Sequence, residues 1–181
     1  VTQNYSFIQN LKTMWRLSNL DFKYIFRSLP FLCILVVGVL LLVGTLFSSG
    51  QIFGTNTLPV TWQMLAGGDV FSLLVLNVCT FLYTGILVQR ARTARINHLV
   101  DTTPIPNWTL LFSKLIAVLK MQFVLLAVIM VSGMLFQIYQ GYYDFEIGHY
   151  LKELYGLKFL NYLIWALLAI FIQTLVKNQY L

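Results

Sequence analysis

The sequence predicts an all-α membrane protein, a bundle of four transmembrane helices. Of its 181 residues, 59% are hydrophobic and 10% are charged, a balance too apolar for the surface of a soluble domain. Four apolar stretches are long enough to cross about 30 Å of hydrocarbon at about 1.5 Å per residue. They are predicted to be helices, because lipid offers the backbone no hydrogen-bond partners and because the alternation of a membrane barrel is absent. These spans are residues 29–47, 70–88, 115–139 and 157–176.

Before the first span, residues 1–28 are predicted to form an amphipathic helix in the membrane interface, followed by a transmembrane domain over residues 29–181. Apolar side chains share one helical face, and basic side chains spaced four apart occupy another, where an anionic surface would receive them. The alternative is a solvated helix between two folded domains. Since the chain begins without Met, we expect it to be an incomplete segment of a longer protein. The apolar face carries Ile8, Leu11 and Trp15, and the basic face carries Lys12, Arg16, Lys23 and Arg27.

The distribution of Lys and Arg predicts that both termini lie in the cytoplasm. These residues flank the first span on its N-terminal side, fill the connection between the second and third spans, and follow the fourth, whereas residues 48–69 contain none. Because basic loops stay in the cytoplasm, residues 89–114 are predicted to be cytoplasmic, and residues 48–69 and 140–156 extracytoplasmic. Lys158 begins the fourth span on the outer side, from which its long side chain is expected to reach the interface.

A net charge of +6 is also compatible with nucleic acid, but no nucleic-acid-reading motif accompanies the basic residues. Membrane lipid is therefore the expected partner of these charges, and nucleic acid is not.

The connection between the second and third spans is predicted to contain a short amphipathic helix followed by a rigid corner. Apolar residues at positions i, i+3 and i+4 form one stripe, and two arginines lie off it. Pro104 and Pro106 end the helix. Such a corner can transmit force from a cytoplasmic partner into the spans; the alternative is an ordinary interhelical loop anchored by Arg and Trp. The stripe consists of Ile96, Leu99 and Val100, and the arginines are Arg92 and Arg95.

The order of these pieces resembles the permease subunits of ATP-binding-cassette (ABC) exporters. An interfacial helix, a span, an outer loop and a second span running into arginines are followed by LVDTTPIPNW at residues 99–108 and SKL at residues 113–115. The outer segment 137–156 and the tail 176–181 resemble the large permeases, frequent in Bacteroidetes, whose chain continues into a zinc aminopeptidase domain. The chain would then be part of one permease half in a bacterial inner membrane.

This resemblance implies a two-state gate driven by an ABC ATPase subunit on the cytoplasmic face. The helix from about residue 92 to 101 would be the coupling helix, with its stripe and arginines contacting the ATPase. Such permeases usually have six spans per half, so this segment with four is not a complete transport unit. The resemblance also implies a second permease half as a partner. This sequence departs from the pattern in having no acidic residue among the arginines of RARTAR at residues 90–95. The alternative function is a membrane anchor or scaffold for an extracytoplasmic peptidase or another partner domain.

No enzymatic function is predicted for this segment. There is no HExxH pair for zinc and no phosphate-binding glycine loop, so no cofactor or metal is expected and ATP hydrolysis is assigned to a partner. His98 and His149 are predicted on opposite sides of the membrane, and Cys33 and Cys79 within apolar runs. A membrane-embedded enzyme is the third function considered.

Two further patterns are noted in the outer and second-span regions. Polar residues recur at spacings of three and four along the second span, and this face is predicted either to pack on another helix or to line a transport path. In the outer segment, a short helix is predicted to be capped by Asp144 and to end at Gly156. The polar residues of the second span are Asn77, Thr80 and Thr84.

Overall fold

The computed structural model describes residues 7–49, 51–52, 55–56, 60–93 and 106–175, and these form five helices and one small pair of strands. Helix α1 is Phe7–Arg27 and α2 is Leu29–Ser49. Strands β1 (Gln51–Ile52) and β2 (Thr55–Asn56) pair antiparallel after α2. Helix α3 runs through Thr61–Phe71, a π-helical segment Ser72–Leu76, and Asn77–Thr93. Helix α4 is Asn107–Tyr139, and α5 runs through Ile147–Leu151, a π-helical segment Lys152–Lys158, and Phe159–Leu175.

Helices α2, α3, α4 and α5 are each long and apolar enough to cross a membrane. The predicted all-α membrane class is therefore confirmed for the part of the chain that the structure describes. The short strands add one antiparallel turn to the connection between α2 and α3 and do not alter that class.

Three helices begin well before the apolar runs that predicted them. Helix α3 begins at Thr61, α4 at Asn107 and α5 at Ile147, about eight to ten residues earlier than the predicted spans. Hydropathy locates the hydrocarbon-crossing part of a helix, whereas polar residues near its end do not stop the backbone from remaining helical. The helices therefore extend beyond their most apolar windows.

The predicted short outer helix capped by Asp144 is wrong. The helix begins at Ile147 after Glu146, without a side-chain cap, and it continues through Gly156 in π-helical geometry into the fourth span. Tyr150 and Leu154, on either side of this transition, are fully buried, so packing on the bundle keeps the backbone helical where a glycine would otherwise permit an end. The turn that does break the chain lies at Gly141, whose φ of 77° suits glycine and follows the end of α4.

The core lies where α3, α4 and α5 meet, with α2 packed against the first part of α3. Close approach depends on two glycines: a Cβ at Gly38 would clash with Val75 Cγ2 on α3, and one at Gly68 would lie 2.6 Å from Ile129 Cγ2 on α4. Helix α1 packs chiefly along α4, where Ser18 and Ile25 are fully buried. Its opposite face leaves apolar side chains such as Ile8 exposed.

Candidate functional site

A cluster of charged and aromatic side chains joins α1, α3 and α4 at the end of the bundle from which the connection 94–105 departs. We call Asp21, Tyr24, Arg90 and Lys114 the Arg90 cluster. The Arg90 guanidinium donates to Asp21 Oδ1 at 3.4 Å and stacks 4.3 Å from the centre of the Tyr24 ring. Lys114 on α4 donates to the Val88 carbonyl of α3 at 3.3 Å. The two helices that flank the connection are therefore bonded to each other, and α3 is also bonded to α1.

The Asp21 side chain is 17% exposed, whereas its partner Arg90 is 51% exposed. Burial raises the pKa of the Asp21 carboxyl above its ordinary value, and the charges of Lys114 and Arg90 oppose that rise. This carboxyl therefore takes up a proton at a higher pH than an exposed aspartate would. Acidification weakens the contact between α1 and α3 at that higher pH.

A second contact fixes α1 on α4 further into the bundle. The Lys120 ammonium donates to Asn19 Oδ1 at 2.6 Å and lies 3.6 Å from the centre of the Trp15 ring. A cation over the face of an indole is attracted by the ring quadrupole. A lysine in the α4 span is thus held by α1, which explains how α4 carries this charge within its apolar length.

Polar side chains follow one face of α3 through the centre of the bundle. Thr80 and Thr84 are fully buried, and Gln122 of α4 donates from Nε2 to Thr80 Oγ1 at 2.9 Å and to the Tyr162 carbonyl of α5 at 3.1 Å. One glutamine therefore joins three spans. Asn77 lies on the same face, and its Oδ1 is buried. We call Asn77, Thr80, Thr84 and Gln122 the polar seam.

Closer to the Arg90 cluster, helices α3 and α5 are joined by a hydrogen bond between two side-chain amides. Gln89 of α3 donates from Nε2 to Gln173 Oε1 of α5 at 3.3 Å, and both side chains are buried. Towards the other end of the bundle, the Tyr150 hydroxyl of α5 donates to Gln137 Oε1 of α4 at 3.2 Å. Contacts between the spans are thus polar at several levels, which favours a defined register between helices in lipid.

An ion pair lies between α3 and α5 at the end of the bundle away from the Arg90 cluster. The Lys158 ammonium contacts Asp69 Oδ1 at 2.5 Å and donates to the Leu65 carbonyl at 3.2 Å. Lys158 is 16% exposed and Asp69 is 55% exposed. Gln122 bonds to both Thr80 and the Tyr162 carbonyl, so these two residues lie at one level in the bundle. Asp69 and Leu65 precede Thr80 by 11 and 15 positions. The Lys158 side chain therefore extends away from the bundle centre to reach them. Instead of ending free at the interface, it is bonded to α3.

The predicted site residues fall into two groups in this structure. Ile96, Leu99, Val100 and Arg95 lie outside the described residues, and Arg92 is described only as part of the last turn of α3. The second-span residues form the polar seam with Gln122, which the sequence reasoning did not single out; an isolated glutamine in the middle of an apolar run was the available signal. Asp21, which lies 69 positions before Arg90 in the sequence, was not among the predicted site residues either.

The described residues contain no group of three His, Cys, Asp or Glu side chains close enough to hold a metal ion. Cys33 and Cys79 are both free thiols, the first exposed on α2 and the second buried in α3. His149 is exposed in the first part of α5, and His98 lies outside the described ranges.

Comparison with known proteins gives one family. A family model described as ABC-2 family transporter protein matches residues 25–181. No curated protein and no solved structure gives a significant match to the chain.

Proposed function

Because this chain belongs to the ABC-2 family of transporter proteins, whose members are membrane components of ABC transporters, we propose that it couples ATP hydrolysis by a partner subunit to substrate export. Permeases of this family generally work with an ABC ATPase subunit. The observation that carries the proposal is the Arg90 cluster, which bonds α1, α3 and α4 together on both sides of the connection 94–105.

A force applied to that connection would act on the last turn of α3 and the first turn of α4. The Lys114 bond to the Val88 carbonyl holds α3 and α4 together about one to two turns inside those ends, and the Arg90 pair with Asp21 transmits displacement of α3 to α1. The polar seam then links α3 to α4 and α5 at the bundle centre. An ATPase docked on the helix predicted at residues 92–101 would thus be connected through polar contacts to every described span, α2 included, since Thr45 of α2 is bonded to the Gly67 carbonyl of α3.

Reconstitution of the full chain with its ATPase subunit in proteoliposomes tests this proposal. ATP-dependent substrate movement and stimulation of ATPase activity by the permease are the expected results. The second candidate is a scaffold for an extracytoplasmic peptidase, which the resemblance of segment 137–156 to peptidase-fused permeases favours. A complete reading frame with a peptidase domain, no neighbouring ATPase and no ATP dependence would support the scaffold and contradict the transporter.

We place the chain in a bacterial inner membrane, with both termini and the connection 94–105 cytoplasmic. This orientation rests on the absence of Lys and Arg from residues 48–69 and their concentration in residues 89–114.

In a Cys33→Ala, Cys79→Ala background, single cysteines at residues 48–60 or 140–146, which precede the helices α3 and α5, are expected to react with a membrane-impermeant maleimide in intact cells. Cysteines at residues 89–114 are expected to react only after the membrane is opened, since they face the cytoplasm. A gel-shift assay that counts the mass tags attached to the protein measures the reaction in intact cells and after the membrane is opened. Reaction of the 89–114 connection in intact cells would invert the orientation.

We also propose that a second permease half packs on the face of α3 that carries Asp69. Thr45 of α2 donates to the Gly67 carbonyl at 3.0 Å, which sets these residues at one level. At the rise of a helix, Asp69 therefore lies about 9 Å nearer to the bundle centre than the C-terminal end of α2, measured along the bundle axis. This position is within the depth of the hydrocarbon. A carboxylate that is 55% exposed there cannot be left against lipid tails. A polar face of another transmembrane unit would cover it.

A benzophenone amino acid at Val70, next to Asp69, is expected to form photo-adducts with a second transmembrane unit in the intact transporter. The same probe at Leu135 of α4, which is at least as exposed, is the control and is expected to give lipid adducts only. Mass spectrometry identifies the adducts. Lipid adducts at position 70 combined with protein adducts at position 135 would place the second half on the other face.

A further inference from the structure

The surface of α1 that is left after it packs on α4 divides into an apolar strip and a basic strip. Ser18 and Ile25 are fully buried on the packed face. At about 100° of rotation per residue, the exposed basic side chains point roughly away from that face, and exposed apolar side chains point between the two directions. The basic strip consists of Lys12, Arg16, Lys23 and Arg27, and the apolar strip of Ile8, Leu11 and Trp15.

The basic strip has no counter-charge among the residues that the structure describes. Asp21, the one acidic residue of α1, is paired with Arg90 of α3. No ion pair joins Lys12 or Arg16 to any described residue. These two side chains are exposed one turn apart, where like charges repel. An anion in contact with both would relieve this repulsion.

Lys12 and Arg16 line two open recesses of different character, which we call the α1 recesses. The first has a volume of about 570 Å³ and a mainly apolar wall, and the second has a volume of about 440 Å³ and polar side chains in its wall. Together they offer one ligand an apolar surface, two positive charges and a polar surface. The apolar wall is formed by Ile8, Leu11, Met14 and Trp15, and the polar side chains are those of Gln9 and Thr13.

The contact with α4 places the α1 recesses near the boundary of the hydrocarbon. The Lys120 ammonium lies 3.6 Å from the centre of the Trp15 ring. Lys120 is five residues, about 8 Å at helical rise, inside the N-terminal end of the apolar run 115–139. Tryptophan is enriched at this level of a bilayer, where lipid phosphates and acyl chains meet. A ligand that is anionic at one end and apolar at the other is available there.

We infer that the α1 recesses bind one anionic phospholipid, with its phosphate between Lys12 and Arg16 and an acyl chain along the apolar wall. A soluble anion would leave that wall in water, and a zwitterionic lipid has no net charge to balance two cations. An acidic protein surface would balance the cations but would not cover the apolar strip. The site belongs to the membrane component alone and does not depend on ATP coupling.

Thermal unfolding of the full chain in nanodiscs gives the first test. Phosphatidylglycerol added to phosphatidylcholine is expected to raise the melting temperature by about 3–6 °C, the shift that a ligand gives at about ten times its dissociation constant. The Lys12→Gln/Arg16→Gln variant is expected to lose most of this shift. The Lys23→Gln/Arg27→Gln variant removes the same charge at the same spacing outside the recesses, and it is expected to keep the shift.

Three results of this experiment would overturn the inference. Equal loss of the shift in both double variants would mean that the whole strip attracts anionic membranes without a site. An equal shift from soluble glycerol phosphate, added to phosphatidylcholine nanodiscs, would assign the recesses to a free phosphate ester. Loss of ATPase association in the Lys12→Gln/Arg16→Gln variant, with an unchanged lipid shift, would assign the strip to a protein partner.

A second measurement reports on contact and does not depend on stability. Trp62, Trp108 and Trp165 are replaced by Phe, so that fluorescence comes from Trp15 alone. In nanodiscs of one fixed lipid composition, brominated phosphatidylglycerol is expected to quench Trp15 more strongly than an equal amount of brominated phosphatidylcholine. The Lys12→Gln/Arg16→Gln substitutions are expected to remove this difference. Equal quenching by the two lipids before those substitutions would overturn the inference.

Discussion

Replacement of Leu99 by Asp is expected to abolish association of the chain with its ATPase subunit. If the helix at residues 92–101 docks on the ATPase, its apolar stripe carries most of the contact energy, because buried apolar residues dominate such interfaces and rim charges add little. A carboxylate placed in that contact costs several kcal/mol, on the order of 3–5, unless it is paired. Co-purification and permease-stimulated ATPase activity measure the loss.

The control variants for this experiment lie on the same helix. Ile96→Asp is expected to act like Leu99→Asp, whereas Arg92→Gln and Arg95→Gln are expected to weaken association less. Membrane insertion should be intact in all four, since the charges lie outside the hydrocarbon. Full association and ATPase stimulation by a correctly inserted Leu99→Asp protein would show that this helix is not the coupling element and would favour the scaffold.

Replacement of Gly38 by Leu is expected to destabilise the bundle by about 3 kcal/mol, through overpacking between α2 and α3. A Cβ at this position would lie 2.9 Å from Phe71 Cε2 and closer still to Val75 Cγ2. Both obstructing side chains are themselves buried, so they have little room to move. Thermal or denaturant-induced unfolding of the purified protein, followed by tryptophan fluorescence, measures the change.

Gly44→Leu is the matched control, since it makes the same substitution on the same helix. No heavy atom lies within 4 Å of a Cβ built at Gly44, so the variant should be neutral or slightly more stable through improved helix propensity. If the two variants unfold alike, α2 does not pack on α3 at Gly38 as the structure has it.

The four spans could be predicted from the sequence because hydrocarbon thickness imposes a length and composition on any helix that crosses it. Their ends could not. The residues from Thr61 to Asp69 and from Ile147 to Gly156 are mixed in polarity, and whether they are helical depends on packing partners such as Met64 and Tyr150. The Gly156 prediction failed for this reason: local propensity favoured an end, and burial of the neighbouring turns outweighed it.

The candidate site was predictable only where its residues follow a helical period. Asn77, Thr80 and Thr84 stand out by their spacing, and the structure places Thr80 and Thr84 in the bundle interior. Their partner Gln122 has no such pattern, because it is a single polar residue in an apolar run and one residue forms no period. The same holds for Asp21: RARTAR contains no acidic residue, and the carboxylate that pairs with Arg90 comes from α1, 69 positions earlier in the sequence.

The length of α4 has a mechanical consequence. Helix α4 spans Asn107–Tyr139, about 50 Å at helical rise, against roughly 30 Å of hydrocarbon. Unless it is strongly tilted, about 20 Å of it therefore extends beyond the apolar layer. It can act as a lever whose fulcrum lies at the membrane boundary. A rotation of about 10° would then displace the end of the extending part by roughly 3 Å, the length of a hydrogen bond.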